Sequence, residues 1–304
     1  MIFHAQATLR HKIKNSVMLA ALTAFLLTTP YVPSLAAETA AVEHPAIPQE
    51  LGKVVYQKEG KQDNHVYIIC QSHRNAQSGA NGENTTRVQA DIYRLGEWLI
   101  RNEQVELLLP EGFFNPKDEQ PMQQVAFTPS AGRKSGTSFD EQTLHSMLND
   151  TTTFYNADKL LKESYDVDLG QVEDEKLYFS ILNFLYNSER KDRDLDAGEV
   201  RILDYLQEKR SAAMLQRIPG VIGQKVQEGR IARKKAILTI GMAHIDEMIR
   251  FLKEGKIEID SPLSRAALQE ELSLLRENYN VTVILPRSLA EDQKAMKIAN
   301  LGEI

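Results

Sequence analysis

Two strand-like runs in this chain end on a histidine. One is Val66-Tyr67-Ile68-Ile69-Cys70-Gln71-Ser72-His73, and the other is Ala236-Ile237-Leu238-Thr239-Ile240-Gly241-Met242-Ala243-His244. A third run, Val105-Glu106-Leu107-Leu108-Leu109-Pro110, is followed by Glu111. Short, nearly continuous apolar runs suit strands covered on both faces, and such strands belong to parallel sheets. Parallel strands need a crossover, usually a helix. Val88, Ile92, Leu95 and Leu99 recur at three- and four-residue steps between the first run and the third, which predicts that helix. The expected fold is therefore α/β, with a central, largely parallel sheet, flanking helices and a helical middle segment. Parallel sheets gather ligands beyond the carboxyl ends of their strands. If these three strands are neighbours, two imidazoles and a carboxylate converge there, which is the chemistry of a metal site or an acid–base site.

Residues 1–36 are expected to stand apart from the fold. Arg10, Lys12 and Lys14 form a positive segment, residues 17–27 are apolar, and Ser34-Leu35-Ala36 offers small residues for cleavage. This is the pattern of a secretory signal peptide, so the expected location is exported, periplasmic or secreted. The apolar run is shorter than the ~20 residues of a spanning helix, and no stable membrane anchor is expected after leader cleavage. Loss of three basic residues would move the formal charge from −6 to −9. An acidic protein lacks the cationic surface that nucleic acid requires, so no nucleic-acid partner is expected. Cys70 is the only cysteine, which excludes an intramolecular disulfide.

Residues 37–63 are expected to be a linker and N-terminal extension, and residues 64–304 the α/β domain, with a helical insertion over about 139–230. Residues 113–139 are polar, with three prolines, and predict a long loop over the strand ends. The run Ser130 to Gly136 lacks phosphate-loop spacing and has no strand before it. Leu177, Ile181, Leu182 and Leu185 predict one helix face. Val200, Leu203, Leu206, Arg210 and Met214 predict another. Residues 167–172 suggest a short strand. Asp192, Asp194 and Asp196 lack the Gly and Glu of a calcium loop and read as acids before a helix N-terminus. Further on, residues 236–240 predict a strand, 245–253 a helix and 281–285 a strand. Ser261-Pro262 predicts the start of a helix running to about Asn278.

His73 and His244 are the leading candidates for chemistry, with Glu111 as their partner. A carboxylate beside so much apolar sequence needs a counter-charge, or its pKa rises. Arg210, amid an apolar helix face, could clamp a carboxylate through two nitrogens. Glu173 is a further acid at the end of the short strand, and Glu247 reads as a first-turn acid favoured by the helix dipole. Cys70 lies inside a strand, where a thiol behaves as a small hydrophobe. No G-x-S-x-G elbow and no H-E-x-x-H helix occurs in the sequence.

A strand ending in x-x-His, a strand ending in glutamate, a mid-chain helix with arginine, and Gly241-Met242-Ala243-His244 together resemble the TraB/Tiki/erythromycin esterase/ChaN-like superfamily. The first motif departs from the family pattern, with Cys70 where glycine is expected. The resemblance covers residues 64–285. It implies an α/β fold with its site at the strand ends, and either hydrolysis or small-ligand binding. As a hydrolase, the chain would act on an ester or amide bond of a small-molecule or peptide substrate. His73, His244, Glu111 and Arg210 would then be catalytic. In a metal mechanism His73, His244 and Glu111 would hold a divalent metal ion; without metal, one histidine is the general base. The alternative is a non-catalytic protein binding a haem-like ligand, or a degenerate member of the superfamily.

Overall fold

The computed structural model describes residues 46–72, 82–115, 136–153, 155–189, 195–262 and 267–298. Residues 1–36, expected to be a leader, together with His73, the Gly132 region and Asp192 with Asp194, lie outside the described residues. The strands are β1 (Gly52–Lys58), β2 (His65–Gln71), β3 (Leu107–Pro110), β4 (Asp168–Leu169), β5 (Lys235–Gly241), β6 (Lys256–Ile259), β7 (Leu268–Glu271) and β8 (Asn280–Pro286). The helices are α1 (Glu83–Asn102), α2 (Glu141–Asn149), α3 (Ala157–Ser164), α4 (Glu175–Glu189), α5 (Ala197–Gln227), α6 (Ile245–Glu254), α7 (Ser273–Arg276), α8 (Arg287–Ala290) and α9 (Gln293–Ile298).

The fold is α/β, built on a six-stranded sheet in the order β1-β8-β2-β5-β3-β4. Only β1 is antiparallel to its neighbour; β8, β2, β5, β3 and β4 run parallel. The three runs that drew attention in the sequence are therefore adjacent and parallel, in the order β2-β5-β3. Every residue of β2, β5 and β8 is buried. Successive strand residues point to opposite faces, so both faces of the central sheet are covered, as the unbroken apolar runs require. Helix α1 packs with α2, α3 and α8, while α5 packs with α4, α6 and α7. Val88, Ile92, Leu95 and Leu99 form the buried stripe of α1.

Three readings needed correction or addition. Residues 52–58, expected to belong to an N-terminal extension, form edge strand β1 against β8. The helix expected from Ser261 to Asn278 is instead strand β7 followed by the four-residue α7. Strand β7 pairs antiparallel with β6 from Leu268↔Ile259 to Glu271↔Lys256. Ile257 and Ile259 are buried while Glu258 between them is not, so β6 has a period of two and presents an edge that needs a partner. That tertiary demand overrides the helix propensity of residues 267–271. Finally, Leu182 and Val200 are exposed, unlike the faces expected for them.

Helix α5 acts as a ruler. Its N-cap Asp196 forms a capping box with Glu199, which stabilises the start of the helix. No residue of α5 before Arg210 is buried. From there Ser211, Met214, Leu215, Ile218 and Ile222 make a continuous buried stripe. Near the other end of the helix, Lys225 Nζ lies 2.9 Å from Asp168 and Arg230 Nη2 lies 3.0 Å from it. Asp168 begins β4, so these pairs fix the helix at the amino-terminal edge of the sheet. Counting back to Arg210 covers about 22 Å of helix at ~1.5 Å per residue. A seven-residue strand spans about 23 Å, so Arg210 arrives at the opposite, carboxyl edge.

Burial opposes ionisation of Asp168, but Arg230 and Lys225 outweigh it and lower its pKa from 3.8 to about 2. A carboxylate depressed on folding stabilises the fold above its unfolded pKa, and that contribution fades as pH falls toward the folded value. Acid denaturation should therefore show an Asp168-dependent loss of stability between about pH 4 and pH 2. In Asp168→Asn the loss over this window should be smaller, as measured by urea midpoints at each pH.

Candidate active site

The carboxyl ends of β2, β5 and β3 lie level with one another. Gln71 pairs with Gly241, and Pro110 with Thr239. One residue past β3, the Glu111 backbone N–H donates to the Thr239 carbonyl at 3.0 Å, which fixes the carboxylate at this edge. Gly241 donates its backbone N–H to Glu111 Oε2 at 2.6 Å. A 3-10 turn over Met242–His244 then brings His244 to the start of α6. Gly241 has φ −58 and ψ 144, a conformation open to any residue. The Gly of this motif is thus not required by backbone strain. By the same token, Cys70 at the equivalent place in the first motif fits into β2, fully buried. Burial, with the Glu111 charge adding to it, pushes the Cys70 thiol well above its ordinary range. It is an inert core residue.

Arg210 is the centre of the cluster. Its Nε donates to Glu173 Oε1 at 2.8 Å and its Nη2 to Glu173 Oε2 at 2.6 Å, a two-point clamp. The same Nη2 lies 2.8 Å from Glu111 Oε1. Nη1 faces His244 Nε2 at 3.2 Å, and the Tyr178 ring lies against the guanidinium, 5.2 Å from centroid to Cζ. Arg210 and His244 are both buried, and Glu173 is fully so. Burial pulls the arginine pKa down, but Glu173 and Glu111 more than reverse this, so the guanidinium stays charged. Gly112 completes the cradle. Its φ of +71, in the left-handed region that favours glycine, accompanies a backbone N–H that donates to Glu173 Oε2 at 3.1 Å.

A second branch reaches His244 from the other side of the ring. Ser211, next to Arg210 on α5, places its Oγ 2.8 Å from His244 Nδ1 and 2.6 Å from Glu247 Oε2. Burial raises the Glu247 pKa, opposed by Ser211 and His244.

Glu111, Arg210 and His244 thus meet at this edge, while His73, the other histidine of the expected site, lies outside the described residues. Three residues were underweighted or missed. Glu173 looked like a marginal acid and is the principal partner of Arg210. Glu247 sits in the first turn of α6, as expected, and also accepts from Ser211. Ser211 gave no sequence signal beyond being next to Arg210. Arg210 itself would ordinarily be exposed; its place in an apolar stripe was the available clue. His65 lies at the far, amino-terminal end of β2, with Nε2 2.8 Å from Thr282 Oγ1. His145 pairs with Glu141 on the surface of α2.

His244 Nε2 and Glu111 Oε1 are 3.6 Å apart, close enough to be two ligands of one cation. Both already face Arg210, however, and among the described residues no group of three His, Cys, Asp or Glu side chains could hold a metal ion. The described donors alone therefore do not make the three-ligand site expected from the sequence. No protein-family model, curated protein or solved structure matches the chain.

Truncating Arg210 would remove the guanidinium that faces the buried Glu173 and the part-buried Glu111. Arg210→Met should destabilise the protein by about 3–5 kcal/mol, the range for breaking a buried pair. Arg210→Met combined with Glu173→Gln should recover part of that loss. Urea denaturation of both variants measures the difference.

Proposed function

We propose that the chain is an exported hydrolase in which His244 acts as general base on water attacking an ester or amide carbonyl. One observation carries this reading: His244 has Ser211 Oγ on Nδ1, while Nε2 faces the Arg210 and Glu111 side chains at the carboxyl edge of the sheet. A neutral imidazole with its proton on Nδ1 has its lone pair on Nε2, where a water can be deprotonated. Arg210 Nη1, on the same side of the ring, exchanges its hydrogen bond with Nε2 for one to the carbonyl oxygen. It then stabilises the negative charge that develops there. Glu111 Oε1 steadies the imidazolium that forms, which then gives its proton to the departing alkoxide or amine as the carbonyl C–O or C–N bond breaks. Glu173, holding Nε and Nη2, keeps the guanidinium in place during the exchange. The strand-end motifs resemble those of a superfamily that includes hydrolases as well as ligand-binding proteins, and the leader-like N-terminus supports export.

A second reading has one observation in its favour. Nε2 is capped by Arg210 in the structure, and a site that keeps this bond would bind a ligand without turning it over. No step in either reading passes through a metal.

Assays with a panel of nitrophenyl esters and peptide amides separate the two. His244→Gln should lower kcat by ~10²–10⁴-fold, the usual range for loss of a general base, with the fold intact by circular dichroism. A chelator should leave the wild-type rate unchanged. Loss of activity on chelation would restore the metal mechanism, with His73 as the third donor. No turnover of any substrate, together with a visible absorbance band on titration with haem, would favour the binding protein.

A further inference from the structure

We infer that Ser211, backed by Glu247, is a positioning residue that fixes the tautomer of His244. The inference deepens the reading of His244 as base. Ser211 Oγ has one proton and two neighbours besides the ring: Glu247 Oε2 at 2.6 Å and the Gln207 carbonyl at 3.1 Å. A carboxylate is the stronger acceptor and the shorter contact, so the hydroxyl donates to Glu247. Its oxygen is then left to accept, and the group it faces at 2.8 Å is His244 Nδ1. Nδ1 must therefore carry the proton. The other side of the ring agrees. Nε2 lies 3.2 Å from Arg210 Nη1, which can only donate. The opposite tautomer would set two N–H groups against each other there. Among the described residues, the carboxylate oxygen facing Nε2 is Glu111 Oε1 at 3.6 Å, beyond hydrogen-bonding distance.

The chain Glu247–Ser211–His244–Arg210 thus has a single consistent set of donors and acceptors, and it ends with a lone pair on Nε2. Glu247 cannot replace Ser211, because its carboxylate is 4.0 Å from Nδ1. Hydrogen bonds in series polarise one another, so the charge on Glu247 strengthens the Nδ1–H to Ser211 bond two atoms away. When Nε2 takes a proton from water, the same chain holds the resulting imidazolium.

Nitrogen-15 correlation spectra of the full chain test this without any substrate. They are recorded near pH 8, above the ordinary imidazole titration at ~6.5, and His244→Gln identifies the resonances of His244. The wild-type ring should show protonated Nδ1 and unprotonated Nε2. Ser211→Val should shift the ring toward protonated Nε2, whereas Ser211→Thr, which keeps the hydroxyl, should not. In Glu247→Leu the Nδ1 proton should move upfield and exchange faster with solvent. A wild-type ring protonated on Nε2, or a Nδ1 proton unaffected by Ser211→Val and Glu247→Leu, would overturn the inference. If hydrolysis is found, Ser211→Val should lower kcat by ~10²-fold, the cost of a misaligned catalytic group, with KM little changed. Failure to find hydrolysis would leave the spectra to decide the tautomer independently.

Discussion

One guanidinium holds the carboxyl edge of this protein together. Arg210 comes from α5, Glu111 from the turn after β3, Glu173 from the segment between β4 and α4, and His244 from the turn after β5. Four separate segments meet on a single planar ion with its donors in a fixed fork. Lysine could not replace it, since a point charge cannot engage Glu173 through two nitrogens and still reach Glu111 and His244. Burying such charges costs several kcal/mol per ion before the attraction between them is counted. A cluster of this kind is therefore poor value as a source of stability alone, and its position at the ligand-gathering edge of a parallel sheet accords with a role in chemistry.

The arginine gets there because two unrelated features agree. The buried stripe of α5 begins at Arg210. The ion pairs of Lys225 and Arg230 with Asp168 hold the far end of the helix to the start of β4. Between them lies a length of helix close to the length of a strand. A shift of one residue in this register would rotate α5 by about 100°, carrying Arg210 out of the cluster and Ser211 away from His244. Local helix geometry, rather than any loop, thus sets the distances on which the site depends, as befits a site that must be rigid.

Much of the fold was legible in particular runs. Residues 65–71, 235–241 and 280–286 are so evenly apolar that only a sheet covered on both faces can absorb them, and helix α1 announced itself by its spacing. Other parts were not legible, for identifiable reasons. Strand β1 does not alternate cleanly, because a register shift between Val54 and Tyr56 breaks its period of two, and β7 exists because β6 needs a partner. Within the site, Glu111 and His244 were marked by their places at strand ends. Glu173 and Ser211 were not, because an acid after a two-residue strand and a serine in a long helix look like many others.

What the sequence determined by itself is the class of sheet and the edge at which polar groups gather, because both follow from the period and composition of single segments. Which groups meet there was decided only by the tertiary structure. The partners of Arg210 lie 99, 37 and 34 residues away in the chain, and no local pattern records separations of that size. Whether a buried arginine clamps two carboxylates or remains in solvent depends on the register of one helix against the sheet. The role of each nitrogen of His244 depends on the same register, through Ser211 on one side of the ring and Arg210 on the other.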